Sequence, residues 1–194
     1  SRSAGTDVSP GLCLYISSPA APDPAALVEQ AGYETEGGVV VKKLDDFLAK
    51  LEENQVWGFR ITVNPTYRRT DDDGRKRLLG HVTVAQQTQW LLDRAEINGF
   101  QIPMSAEVGG DLPVLENEAG ERVDGRNLLV SLVDRRVENF VRVKGEDKRP
   151  VTLKLATFQG TLKVTDPRAL RSALANGIGR AKGYGAGLLT LARP

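Results

Sequence analysis

From Asn176 to Leu189 the chain reads Asn-Gly-Ile-Gly-Arg-Ala-Lys-Gly-Tyr-Gly-Ala-Gly-Leu-Leu, which places five glycines between Gly177 and Gly187 with Arg180 and Lys182 among them. Glycine at this density opposes both helix and strand interiors, so the segment must be a loop. The stretch before it is helical. Asp166 is an N-cap, Pro167 suits the first helical position, and Leu170, Ala173 and Leu174 give an apolar face that Gly177 ends. On the other side, Leu188–Ala192 has a strand pattern. Dinucleotide and P-loop fingerprints run strand, glycine loop, helix, so that a helix N-terminus meets the phosphate. Here the order is reversed and the loop lacks a Gly-Lys-Ser/Thr ending, which argues against a nucleotide cofactor. The backbone amides near Gly179 and Gly183 can still approach a phosphodiester closely, with Arg180 and Lys182 neutralising it.

Charge supports a polyanionic partner. Net charge is only +1, yet from Phe140 to Pro194 eleven Lys and Arg face three Asp and Glu, while residues 1–59 hold four basic and nine acidic residues. A basic half on a neutral protein is a nucleic-acid sign, although a solvated charged face has the same composition. No apolar run is long enough for a bilayer span and no secretory signal is visible. The one cysteine, Cys13, excludes an internal disulfide and fits a strand position in a reducing cytosol. The expected location is the cytoplasm.

Along the chain, strands are expected at Gly11–Ser18, Val56–Val63, Phe100–Met104, Asn127–Val133, Val137–Val143 and Val151–Val164, the last as one long strand or a bent pair broken near Gly160. Helices are expected at Pro24–Gly32, Asp45–Asn54 and Val84–Asn98. Residues 105–126 read as a long excursion. From Leu78 onward the order of elements is the split βαβ pattern of a ferredoxin-like unit. Ahead of it, Gly11–Val63 supplies strand, helix, strand, the second half of another such unit. The fold class expected is α+β, tandem ferredoxin-like (RRM-like) domains with the first incomplete. Residues 1–66 would be the second half of the N-terminal domain and 67–79 a basic linker. Residues 80–194 would be the C-terminal domain, with the glycine-rich loop at 177–187. A half-sheet with uncovered edges is a poor independent fold. With a chain opening on Ser, this leads to the expectation that half a small domain precedes Ser1.

Candidate RNA-backbone contacts are Arg68, Arg69, Arg75, Lys76 and Arg77 in 67–79, and Lys148 and Arg149 at a hairpin turn. Arg142 and Lys144, two residues apart on a strand, share a face. Metal chemistry has little support. One His and one Cys make no zinc set, and Asp71–Asp73 reads as a turn. His81 is a minor catalytic candidate, in a place where packing or capping is the commoner role.

The strings His81-Val-Thr-Val, Trp90-Leu-Leu-Asp-Arg-Ala-Glu-Ile-Asn-Gly-Phe100 and Phe158-Gln-Gly-Thr-Leu-Lys-Val-Thr-Asp-Pro167, with the loop at Gly177–Leu189, resemble the CasE-type CRISPR-associated endoribonucleases. Leu14–Asp23 and Phe59–Pro65 resemble that family's first domain. The resemblance implies tandem ferredoxin-like domains that bind the hairpin of a CRISPR repeat transcript. Such proteins cleave at its 3′ base without metal or other cofactor and join the Cascade complex with their guide RNA. The nucleophile would be the 2′-hydroxyl beside the scissile phosphate, leaving a cyclic phosphate. That step needs an in-line hydroxyl, proton transfer suited to histidine, and cations on the phosphorane. Arg142 and Lys144 match the family's cationic helpers. His81 does not match the family's catalytic His, which lies on the first helix of the first domain. This chain alone is therefore expected to be impaired or inactive. A non-catalytic hairpin-binding subunit of a ribonucleoprotein complex is the alternative.

Overall fold

The computed structural model describes residues 14–21, 23, 25, 29, 40–71, 73–105, 128–144 and 147–193. Two compact units divide the chain, Ser1–Lys42 and Lys43–Pro194, and the elements below lie in the second. The helix expected at Pro24–Gly32, the excursion over 106–126 and Cys13 fall largely or wholly outside the described residues. Residues 14–18, read as part of a strand, belong to none.

The elements are α1 (Asp45–Ala49), β1 (Val56–Val63), β2 (Thr66–Thr70), β3 (Lys76–Gly80), α2 (Val84–Ile97), β4 (Phe100–Gln101), β5 (Val130–Lys144), β6 (Asp147–Val164), α3 (Pro167–Asn176), a 3₁₀ turn at Lys182–Tyr184, and β7 (Leu189–Ala192). β1 alternates, burying Phe59, Ile61 and Val63. It pairs antiparallel with β6 on one side, Phe59 opposite Gly160, and with β7 on the other, Arg60 opposite Thr190. β4 and β5 both pair with β6 on its far side, so together they occupy one strand position. The resulting order β7-β1-β6-β5, with α2 after β1 and α3 after β6, is a complete ferredoxin-like unit.

The expected boundary is therefore corrected. β1 opens the same sheet that β6 and β7 complete, and does not close a separate domain over 1–66. The pattern strand, helix, strand fits either half of a ferredoxin-like repeat, and only pairing decides between them. The segment 67–79 is not a linker either. It forms β2 and β3, a two-stranded hairpin set between β1 and α2, with Arg69 opposite Arg77. Strands expected at 127–133 and 137–143 are one, continuous through an irregularity between Leu132 and Asp134.

One face of the sheet carries the helices. Trp90, Leu91 and Ala95 of α2 and Leu170, Ala173 and Leu174 of α3 pack in one buried cluster with Phe59, Ile61, Phe158, Leu162 and Val164. α2 starts on a reciprocal capping box between Thr83 and Gln86, and α3 on Asp166, whose carboxylate accepts from the Arg168 and Ala169 N–H groups. From α3, Arg171 donates to the carbonyls of Leu48 and Leu51, both at 2.6 Å. A cation thus satisfies the open carbonyls where α1 ends. Among the described residues no helix is long and apolar enough to cross a membrane.

Gly160 is the tightest point of the sheet. A β-carbon there would run into the Leu129 carbonyl oxygen and stand 2.8 Å from Val130 Cα. Gly160→Ala should lower the unfolding free energy by about 1–3 kcal/mol, as overpacking does. Gly58→Ala adds a β-carbon 3.5 Å from the Ala192 oxygen and should change it by less than about 0.5 kcal/mol. Urea denaturation of both variants checks the contrast.

Candidate nucleic-acid interface

The face of the sheet away from the helices carries Arg142 and Arg149 and meets the glycine-rich loop. Residues directly opposite in an antiparallel ladder project to the same face. Beyond the irregularity at Leu132/Asp134, the pairs Glu138–Leu153, Phe140–Val151 and Arg142–Arg149 share this helix-free face. There Leu153, Leu155, Phe140 and Val151 pack against Ala181 and Ala186 of the glycine-rich loop. The Phe140 and Tyr184 rings lie 4.9 Å apart at 57°. The loop is thus seated on the long β5–β6 hairpin.

Its glycines have separable reasons. Gly177, Gly179, Gly185 and Gly187 have φ of 72°, 82°, 79° and 91°, and Ala181 adopts 66°. A β-carbon on Gly179 would stand 2.9 Å from Trp90 Cη2, and one on Gly177 would stand 3.0 Å from the Gly187 oxygen. The loop is closed by the Ile178 N–H on the Gly187 carbonyl at 2.8 Å, and tied to β1 by the Gly187 N–H on the Thr62 carbonyl at 2.6 Å. Gly179 therefore has a packing reason to be glycine, independent of any ligand. Gly183 has neither a positive φ nor an atom within 4 Å of its would-be β-carbon. It is the glycine of this loop that sterics within the chain leave unexplained. Arg180 and Lys182 are exposed and without an acidic partner among the described residues.

Near the tip of the β5–β6 hairpin, Arg142 stands directly opposite Arg149. Like charges in that position repel. Asp147 relieves Arg149 from 3.4 Å, and no described carboxylate bridges the two guanidinium groups. The register sets Lys144 opposite Asp147, and Lys148 opposite Val143 on the helix-bearing face. Lys148 is thus not gathered with Arg142.

The β2–β3 hairpin differs. Its Arg69–Arg77 pair is bridged by Asp71, and Arg75 is paired with Asp73 at 3.4 Å. Arg68 and Lys76 have no acidic partner among the described residues. His81 sits at the root of this hairpin. Its N–H donates to the Pro65 carbonyl, its carbonyl accepts from Gln87 Nε2 at 3.1 Å, and its ring lies 4.7 Å from that of Tyr67. Its Nδ1 is buried without a hydrogen-bond partner. The hairpin root meets Lys154 beside Gly80. Lys154 pairs with Val137 on the helix-bearing face, opposite to that of Arg142. The structure thus gives His81 a packing and anchoring role and does not bring it to the Arg142 cluster. Among the described residues no group of three His, Cys, Asp or Glu could hold a metal ion.

Two residues of this interface carried no weight in the sequence, Phe140 and Tyr184. Their signal was present: Phe140 is one pleat from Arg142, and Tyr184 comes directly after Lys182-Gly183.

A ferredoxin-like unit whose basic hairpin carries a glycine-rich loop defines a class, and sequence comparison gives the family. A family model described as CRISPR associated protein matches residues 6–193, and the chain belongs to that family. It is 29% identical over 147 residues to the CRISPR-associated endoribonuclease Cse3 of Thermus thermophilus, covering 75% of this chain and 60% of that protein. Among solved structures, Cse3 bound to a 19-nucleotide RNA matches at a TM-score of 0.53 and 26% identity, over 73% of this chain and 58% of that one. A chain of a CRISPR RNA-guided surveillance complex matches at 0.54 and 28%, over 79% and 60%. The α+β, tandem ferredoxin-like class of the Cse3 structures is thereby this chain's class. The chain spans about three-fifths of the length of the relatives it matches.

Burial holds the His81 imidazole below its ordinary value, against the opposing pull of Asp93. The unfolded chain therefore takes up this proton first as pH falls. Stability is unaffected well above about pH 6.5 and declines below it, through the window down to the lowered native value. His81→Phe keeps a ring against Tyr67 and should flatten that decline, as seen in unfolding midpoints from pH 7.5 to 5.

Proposed function

We propose that this chain binds the hairpin of a CRISPR repeat RNA, in the cytoplasm and as a subunit of Cascade, and takes part in cutting it to guide RNA. The carrying observation is the Arg142–Arg149 pair. Two guanidinium groups face each other across a ladder with no bridging carboxylate described, on the same face as the glycine-rich loop with Arg180 and Lys182. A phosphodiester placed there removes the repulsion and gains charge-assisted hydrogen bonds. Family membership and the likeness to Cse3 supply the RNA.

In the cleavage reading the 2′-hydroxyl attacks the adjacent phosphorus, the P–O5′ bond breaks, and a 2′,3′-cyclic phosphate and a 5′-hydroxyl result. Arg142 and Lys144 stabilise the phosphorane charge without a metal ion. The general acid and base are groups other than His81. Gly179 and Gly183 lend backbone amides, Arg180 and Lys182 grip the RNA backbone, and Arg68 and Lys76 add contacts from the second hairpin. Arg69, Arg75 and Arg77 contribute less than their number suggests, because Asp71 and Asp73 already partner them. A second reading, a hairpin-binding subunit without turnover, is favoured by the placement of His81 away from the Arg142 cluster.

Titration of a labelled repeat hairpin at several salt concentrations tests binding. Affinity should fall linearly on logarithmic axes, and Arg142→Ala should weaken binding and reduce the slope by about one. Arg69→Ala should change both far less. Binding that ignores salt overturns the reading. Incubation of the hairpin with this chain in EDTA then separates the two forms: a cyclic-phosphate product supports cleavage, and intact RNA in a stable complex supports the binding subunit.

A further inference from the structure

We infer that Tyr184 is a stacking platform for one unpaired base beside the RNA stem, a role that rests on the RNA-binding reading above. Sheets of this topology that bind single-stranded RNA do so with aromatics on the helix-free face, on which bases stack. In this sheet that face is polar. β1 presents Gly58, Arg60 and Thr62, β6 presents Thr157, Gln159 and Thr161, and β7 presents Thr190 and Ala192. Thr62 and Thr157 are engaged with each other, as are Arg60 and Gln159. The described aromatics on this side are Phe140 and Tyr184, beyond the sheet proper, where the hairpin meets the loop.

Tyr184 has what a platform needs. It remains 43% exposed while its other flank is braced by Phe140. It is held by a turn whose conformation is tightly determined. Its N–H donates to the Ala181 carbonyl at 2.9 Å, and Ala181 itself lies in the left-handed region, a conformation that costs a non-glycine residue free energy. The residues on either side, Gly183 and Gly185, have nothing within 4 Å of a would-be β-carbon. A flat group can therefore reach the ring unobstructed by neighbouring side chains. Cations flank the opening. Lys182 is two residues away, and Arg142 is one pleat from Phe140 on the same face, roughly 7 Å along the strand. An aromatic ring bounded by cations matches a nucleotide whose base stacks while its phosphates are neutralised. The same openness accounts for Gly183: a side chain there would stand where the base or its sugar enters.

The test compares three kinds of RNA with one stem: a blunt hairpin, hairpins extended by one unpaired nucleotide at the 5′ or at the 3′ end, and the extended hairpins with an abasic site at that nucleotide. Fluorescence anisotropy at fixed salt reads the affinity of the full chain and of Tyr184→Phe and Tyr184→Ala. The expected result is that the wild type binds one extended hairpin about tenfold or more tightly than the blunt one, in line with stacking of one base. The abasic site and Tyr184→Ala should each remove that gain without adding to one another. Tyr184→Phe should keep it. A purely structural Tyr184 would weaken blunt and extended hairpins equally, and that result overturns the inference while leaving RNA binding intact. So does equal binding of blunt and extended RNA by the wild type. No binding of any of the three by the wild type overturns the RNA-binding reading together with this one.

Discussion

The turn from α3 into β7 is held shut by backbone hydrogen bonds, Ile178 to Gly187 and Gly187 to Thr62. These bonds require φ values that side chains oppose. Gly177 and Gly187 approach so closely that a β-carbon on the first would touch the carbonyl of the second. Because the closure is anchored to β1, the position of the loop is set by the sheet's own register. Ala181 and Ala186 then rest on Leu153 and Leu155 of the hairpin, and Arg180, Lys182 and Tyr184 are presented from a rigid support. A loop fixed in this way loses little conformational entropy when it binds, which is how preorganised sites gain affinity.

The two hairpins solve the same electrostatic problem differently. Each sets two arginines opposite one another, Arg69 with Arg77 and Arg142 with Arg149. In the first, Asp71 stands between them, so the repulsion is met within the chain. In the second, among the described residues, Asp147 pairs with Arg149 and no carboxylate bridges it to Arg142. These pairs are solvent-exposed, so each contributes little to stability, about 0–1 kcal/mol. The difference matters for binding. An arginine already paired with a carboxylate must give up that partner to meet a phosphate, whereas Arg142 has no acidic partner to give up among the described residues. The number of cations on a hairpin is therefore a poor guide to which hairpin grips a polyanion.

Local signals survived from sequence to structure where one residue had one physical job. Asp166-Pro167 starts α3, Gly177 ends it, and Phe59, Ile61 and Val63 alternate into the core. What escaped was whatever depends on pairing. The β2–β3 hairpin has almost no buried face, so its residues lack the apolar alternation that marks a strand, and its charges read as a linker. Asp134-Arg135-Arg136 looked like a break because three polar residues in a row fit no half-buried strand. The ladder nonetheless runs through them, since Asp134, Arg135 and Arg136 pair with Thr157, Ala156 and Leu155 of β6. In the candidate site, the glycines and cations of the loop are visible in the sequence itself. That Gly179 rests on Trp90 and that Lys148 turns away from Arg142 are not, since both depend on packing and register between segments distant in sequence.

Register also bears on where the candidate interface lies. The inner strands of the helix-free face are joined by side-chain bonds, Thr62 with Thr157 and Arg60 with Gln159. Groups that bond to each other within a sheet are less available to a ligand. β5 and β6 continue past β1 and β7, and no further strand flanks their outer part among the described residues. Such a two-stranded extension is marginal by itself, and here the glycine-rich loop covers one of its faces. The loop therefore stabilises the extension and adds cations to it in one contact. Replacing the loop's closing glycines would disturb both at once, because the segment that supports the hairpin and the segment that carries Lys182 and Tyr184 are the same eleven residues, 177–187.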